Sequence, residues 1–125
     1  MRILYVEDNP ELRETIGMLM EGEGRMVVTC ATAEEALELE RDGRFDLLVT
    51  DVSLPGLSGT DLARQVLAAD PGRWVVLCSG YDLGTHPAGW GPNVRTLMKP
   101  FELEDLEALL VQAQATLDAA AHAGR

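Results

Sequence analysis

Basic residues are scarce in this chain. Ten Lys and Arg stand against 21 Asp and Glu, a formal charge of −11 over 125 residues. A surface of that sign disfavours nucleic acid and anionic membrane, both of which are bound through basic patches. It suits a basic partner or a bound cation, although much of the excess is solvated helix surface. Cysteine is scarce as well. Cys30 and Cys78 lie far apart, each in an apolar, strand-like setting, and match neither a zinc site nor a redox CxxC pair. Both read as reduced core thiols. No apolar run reaches the roughly 18 residues that a membrane span needs. The opening Met1-Arg2-Ile3-Leu4-Tyr5-Val6 meets acidic residues too soon for a secretory apolar region. The expected location is therefore cytoplasmic. Linkers, internal repeats and low-complexity tracts are missing too, so residues 1–125 read as one domain. A domain of this length buries about two-thirds of the surface its unfolded chain exposes.

What is present is a repeated alternation of short apolar runs and amphipathic stretches. Ile3 to Val6 is a first buried strand ending in Glu7 and Asp8, and Asn9-Pro10 is a helix start, with Asn as cap and Pro in the first turn. Leu12, Ile16, Leu19 and Met20 give that helix one apolar face before Gly22 and Gly24 end it. Met26 to Cys30 is a second strand. Thr32-x-x-Glu35 is a capping box that opens a helix ending near Gly43. Leu47-Leu48-Val49 is too short for a helix and reads as a parallel strand buried on both faces, stopping at Asp51 before the loop residues Pro55, Gly56 and Gly59. Ser58-x-x-Asp61 opens a third helix, which buries Leu62 and Val66 and ends by Asp70-Pro71-Gly72. Trp74 to Cys78 and Val94 to Met98 are further strands. The last helix, Glu102 to about Ala121, sets Leu103, Leu106, Leu110 and Leu117 on one side. This pattern predicts an α/β fold, a doubly wound five-stranded parallel sheet with right-handed crossovers.

One interval breaks the rhythm. Between Ser79 and Val94 a fourth helix is due, yet Gly80, Gly84, Gly89, Gly91, Pro87 and Pro92 all fall there. Each glycine costs about 1 kcal/mol and each interior proline about 3 kcal/mol against Ala in a helix. The fourth helix is expected to be degraded or replaced by a Gly/Pro-rich loop with at most one helical turn, anchored by Trp90.

In a parallel sheet of this kind the carboxyl ends of the strands share one edge, where ligands bind. Glu7 and Asp8, Asp51, Ser79 and Lys99 all stand at such ends. A charge at the end of a buried strand is costly unless something binds it. Clustered carboxylates call for a divalent cation, and an all-oxygen set suits a hard ion such as Mg²⁺. A hydroxyl and an ammonium are the groups that hold a phosphoryl group beside such an ion. A carboxylate can itself attack phosphorus to form a mixed anhydride. From the residues alone, Asp51 reads as a Mg²⁺-dependent aspartyl phosphorylation site. His86 and His122, without paired ligands, carry no expected role.

Tyr5-Val6-Glu7-Asp8-Asn9, the run Leu48 to Gly59, Ser79-Gly80-Tyr81 and Lys99-Pro100-Phe101 resemble the motifs of response regulator receiver domains of two-component signalling, in order and across essentially the whole chain. The Ser-Gly-Tyr and Lys-Pro-Phe forms are similar to receivers of hybrid histidine kinases or their stand-alone relatives. The resemblance implies a flavodoxin-like strand order, 2-1-3-4-5. It also implies that Asp51 accepts phosphate from a histidine kinase or histidine phosphotransfer protein. Asp8, Asp51 and the backbone carbonyl of Ser53 would hold Mg²⁺, with Glu7 acting through water. Lys99 would pair with Asp51 and then with the phosphoryl oxygens, and Ser79 would donate its hydroxyl to them. Such a domain is not a turnover enzyme but a phosphoacceptor that promotes its own phosphorylation and dephosphorylation. Tyr81 would flank the approach of water. Many receivers carry Tyr or Phe three positions before the lysine, where Thr96 stands here. Coupling would then run from Ser79 through Thr96, or through the Gly-rich interval. The output surface, toward a downstream protein or a second copy, would lie across residues 81–121.

Three other readings share parts of this pattern. A small phosphoaspartyl phosphatase would need a second acid two residues beyond Asp51, where Ser53 stands. A flavin binder would need a Ser/Thr/Gly-rich first loop in place of Glu7-Asp8-Asn9-Pro10. A phosphorylation-independent docking module would have no use for the acids, Ser79 and Lys99 together. The glycines and prolines of the interval predict fast amide hydrogen exchange across residues 82–92, within minutes at neutral pH; slow exchange there would contradict an irregular segment.

Overall fold

The computed structural model describes residues 1–22, 24–84 and 86–123. Five strands form one parallel sheet: β1 (Arg2–Val6), β2 (Met26–Cys30), β3 (Leu47–Asp51), β4 (Trp74–Ser79) and β5 (Val94–Met98). Their order is β2-β1-β3-β4-β5, as the resemblance implies. Four helices connect or follow them: α1 (Pro10–Met20), α2 (Ala33–Asp42), α3 (Gly59–Ala69) and α4 (Leu103–Ala123). Among the described residues between β4 and β5 there is only a single 3-10 turn, Pro87–Trp90. The expected loss of a helix there is what the structure shows.

The central strands β1, β3 and β4 are apolar on both faces because helices cover both. Leu4, Val6, Leu48, Val75 and Leu77 meet Ala33, Ala36, Leu62, Ala63 and Val66 from α2 and α3. Ile3, Tyr5, Leu47, Val49 and Val76 meet Ile16 and Met20 from α1 and Leu106, Leu110 and Ala113 from α4. Cys30 and Cys78 are buried free thiols. No helix among the described residues is long and apolar enough to cross a membrane.

The capping signals act where the sequence places them. Asn9 accepts from the N–H groups of Glu11 and Leu12, at 3.0 and 3.1 Å. Ser58 Oγ accepts from Asp61 N at 3.1 Å. Thr32 forms only half of its box: Oγ1 accepts from Glu35 N at 3.1 Å, but the Glu35 carboxylate meets the Thr32 hydroxyl rather than its N–H. Three expectations fail locally. Leu19 and Leu103 point to solvent; Gly17 and Ala113 occupy the buried positions, because close helix–sheet approach favours small residues there. Gly59 is not a loop residue but the first residue of α3.

Trp90 packs against the core cluster beneath α3, and the Arg64 guanidinium lies 5.0 Å from its ring centroid. Thr85, in the same interval, lies outside the described residues, as does the side chain of His122.

Gly59 also explains how α3 starts so soon after β3. Its N–H donates to Val52 O at 2.9 Å. A methyl there would overlap the Asp51 carbonyl oxygen and press on Thr50 Oγ1 at 3.0 Å. Gly59→Ala is therefore expected to cost about 1–3 kcal/mol as an overpacking change, measured by urea unfolding. Ser58→Ala, which removes only a cap, should cost about 1 kcal/mol.

Candidate functional site

The site is built at the carboxyl edge of the sheet by three neighbouring strands and one more distant one. β1 and β3 are adjacent, with Val6 opposite Thr50, so the residues just past β1 stand beside the end of β3. The carboxylates of Glu7, Asp8 and Asp51 each offer an oxygen within 4.8 Å of the others. Asp51 is opposite Cys78 on β4, and Ser79 is opposite Met98 on β5. Lys99, the chain's only lysine, follows directly, its N–H donating to Ser79 O at 2.6 Å.

The Lys99 ammonium crosses to the acids. Its Nζ is 3.1 Å from Glu7 Oε1 and 3.3 Å from Asp51 Oδ1. Glu7 is the deep member of the cluster, its side chain only 2% exposed against 13% for Asp51, whereas Asp8 is exposed. The structure seats Glu7 against the lysine. Its second oxygen accepts from Asn9 N at 3.3 Å. Burial, reinforced by a hydrogen bond with Asp8, raises the Glu7 pKa above the usual carboxylate value, against the opposing pull of Lys99 and the Asn9 N–H. For Lys99, burial works against the charged form, but the hydrogen bond to Glu7 and the charges of Asp51 and Glu7 outweigh it, and its pKa is raised. Beneath the site burial pushes the Cys78 thiol up to about 12, with Lys99 lowering it and the acids raising it. Cys78 is therefore a neutral spacer, not a nucleophile.

Ser79 is buried, and its Oγ accepts from Tyr81 N at 3.1 Å. An oxygen that accepts this bond still has its own proton to donate. Ser79, Tyr81 and Thr96 line a small cleft of about 30 Å³ with Leu83 and Met98. Thr96 is exposed on β5 and Tyr81 is 57% exposed. Ser53 is exposed, two residues beyond Asp51.

Two groups that sequence reasoning missed touch the site. Thr50, fully buried, donates its hydroxyl to the Asp51 carbonyl at 3.0 Å. Arg13 Nη1 donates to Glu7 O at 2.9 Å. The signal for the second was a basic residue one turn into the helix that follows an acidic elbow.

The response regulator receiver domain model matches residues 3–111. The chain belongs to that family. It is a phosphoacceptor receiver domain of two-component signalling. CpdR, a response regulator receiver protein of Brucella abortus, is 30% identical over 118 residues, which are 90% of this chain and 98% of CpdR. The chain spans 30% to 50% of the length of longer regulators that it also matches. Among solved structures, the receiver domain of the hybrid histidine kinase CckA is 30% identical with a TM-score of 0.75, covering 90% of this chain and 98% of that one. TrrA of Thermotoga maritima, solved in complex with Mg²⁺-BeF, is 25% identical with a TM-score of 0.79, covering 90% and 97%.

The raised Glu7 pKa fixes a sign. The folded state holds that proton more tightly than the unfolded one, so Glu7 contributes stability that is complete below about pH 4.5 and lost as pH rises through the folded pKa. Glu7→Gln removes the titration. The variant's thermal midpoint, measured without divalent cations, should gain on the parent's as pH rises from about 5 to 7.5; a constant difference would contradict the burial effect.

Proposed function

We propose that Asp51 is the residue that takes the phosphoryl group, from a phosphohistidine of a histidine kinase or histidine phosphotransfer protein. The observation that carries this is the Lys99 ammonium lying within 3.3 Å of Asp51 while an acidic cluster stands on its other side. The donor set fits Mg²⁺: only oxygen ligands, two of them carboxylates at the exposed mouth. Asp8, Asp51 and the Ser53 carbonyl would hold the ion, with Glu7 acting through water. When bound, it supplies the positive charge that lets an anionic phosphoryl group approach clustered carboxylates. The TrrA complex with Mg²⁺-BeF supports this by likeness.

In the transfer, an Asp51 carboxylate oxygen forms a bond to phosphorus as the P–N bond of the phosphohistidine breaks. The imidazole leaves with the electron pair and takes up a proton from solvent. Lys99 exchanges its contact with Asp51 for one with a phosphoryl oxygen. Ser79 donates its hydroxyl proton to another, while the same oxygen goes on accepting the Tyr81 N–H. The product adds about −1.5 to −2 of charge at pH 7. The domain promotes its own phosphorylation and dephosphorylation, and Tyr81 restricts the approach of water. TrrA has also been solved in complex with the histidine kinase ThkA, which supports a kinase partner here. Exposed Tyr81, Met98, Leu103 and Val111 lie within residues 81–121, the surface for a downstream protein or a second copy.

Incubation with Mg²⁺ and acetyl phosphate should add one phosphoryl group by mass spectrometry. Asp51→Asn should abolish the addition while leaving the far-UV spectrum unchanged. Labelling that survives in Asp51→Asn would refute the assignment. Tyr81→Ala should shorten the lifetime of the phosphorylated form; an unchanged lifetime would remove Tyr81 from the mechanism.

A further inference from the structure

The hydrogen-bond ladder of β1 runs out at its carboxyl end. Glu7 still donates its N–H to Cys30 O at 3.1 Å, but pairing with β3 ends at Val6 and Thr50. The Glu7 carbonyl lies past that point and is left without a ladder partner. Arg13 takes it, through Nη1 at 2.9 Å. The backbone of Arg13 makes the ordinary first helical bond of α1, its N–H donating to Asn9 O at 2.9 Å. Between those two carbonyls lies Asp8.

Adjacent residues on an extended chain send their side chains to opposite faces. Yet the carboxylates of Glu7 and Asp8 converge with that of Asp51. The chain achieves this by turning between Val6 and Asn9, and Arg13 grips the free carbonyl within the turn. Arg13 is half-buried, and among the described residues it forms no ion pair. In a chain of charge −11, a guanidinium spent on a backbone carbonyl instead of a carboxylate calls for an explanation.

We propose that Arg13 is a positioning residue for the acidic pocket: by holding the Glu7 carbonyl it fixes the turn that aims Glu7 inward at Lys99 and Asp8 beside Asp51. This rests on the reading of that pocket as a Mg²⁺ and phosphoryl site. Partners of this outer kind orient the groups that touch the ion, and their loss typically weakens metal binding about 10–100-fold.

The test is isothermal titration of the full chain with Mg²⁺, in the parent and in Arg13→Met, Arg13→Lys and Arg41→Met, with thermal midpoints measured alongside. Arg41, on α2, lines a cleft with Glu40 and Arg73 at the opposite end of the sheet; its replacement removes the same charge away from the elbow. Arg13→Met is expected to weaken Mg²⁺ binding by about tenfold or more. Arg13→Lys, which keeps the charge but loses the planar fork, should recover part of that loss, and Arg41→Met should leave the affinity within about twofold, charge at that distance being largely screened. If Arg13→Met does not fold, an Arg13→Lys affinity between the parent's and one-tenth of it, at an unchanged thermal midpoint, carries the same conclusion. Parent affinity in Arg13→Met, or equal losses in Arg13→Met and Arg41→Met, would overturn the positioning role while leaving the pocket. A parent chain that binds no Mg²⁺ would overturn the pocket reading, and the inference with it.

Discussion

Carboxylates with oxygens within 4.8 Å of one another repel, and the carboxyl edge of this sheet is arranged around that repulsion. Lys99 offsets it from one side, placing its ammonium between Glu7 and Asp51. A lysine suits the task better than an arginine because its charge is compact and its three donors rotate freely. It holds two carboxylates at once. The deep position of Glu7 makes the arrangement asymmetric. Glu7 keeps the lysine docked, whereas Asp8 is exposed and Asp51 partly so.

Each partner reaches this point because of strand order. β1 and β3 are neighbours, so their terminal acids meet without any long reach. Lys99 begins from β5, two strands beyond Asp51, and only a long flexible side chain spans that gap. The Lys99 N–H to Ser79 O bond ties its backbone to the strand between.

The segment between β4 and β5 gives up regular helical structure. One 3-10 turn and the Trp90 contact with α3 hold it, in place of a helix with its ladder of backbone bonds. Segments with few such bonds open at low free-energy cost. Ser79 Oγ holds the start of this segment through Tyr81 N.

The sequence by itself determined the alternation of elements, the caps at Asn9 and Ser58, the loss of a helix before β5 and the identity of the strand-end residues. These follow from local chemistry: periodicity, capping geometry and the cost of Gly and Pro. It did not determine which leucines are buried, since Leu19 and Leu103 satisfy the helical period but face solvent. That choice depends on how each helix rolls against the sheet. Nor did it show that Glu7 would be the buried acid, or that Arg13 would satisfy a carbonyl at the site. Those facts belong to tertiary structure alone, because a hydrogen bond from a helix side chain to a strand-end carbonyl depends on the packing angle between the two elements, which no local pattern encodes.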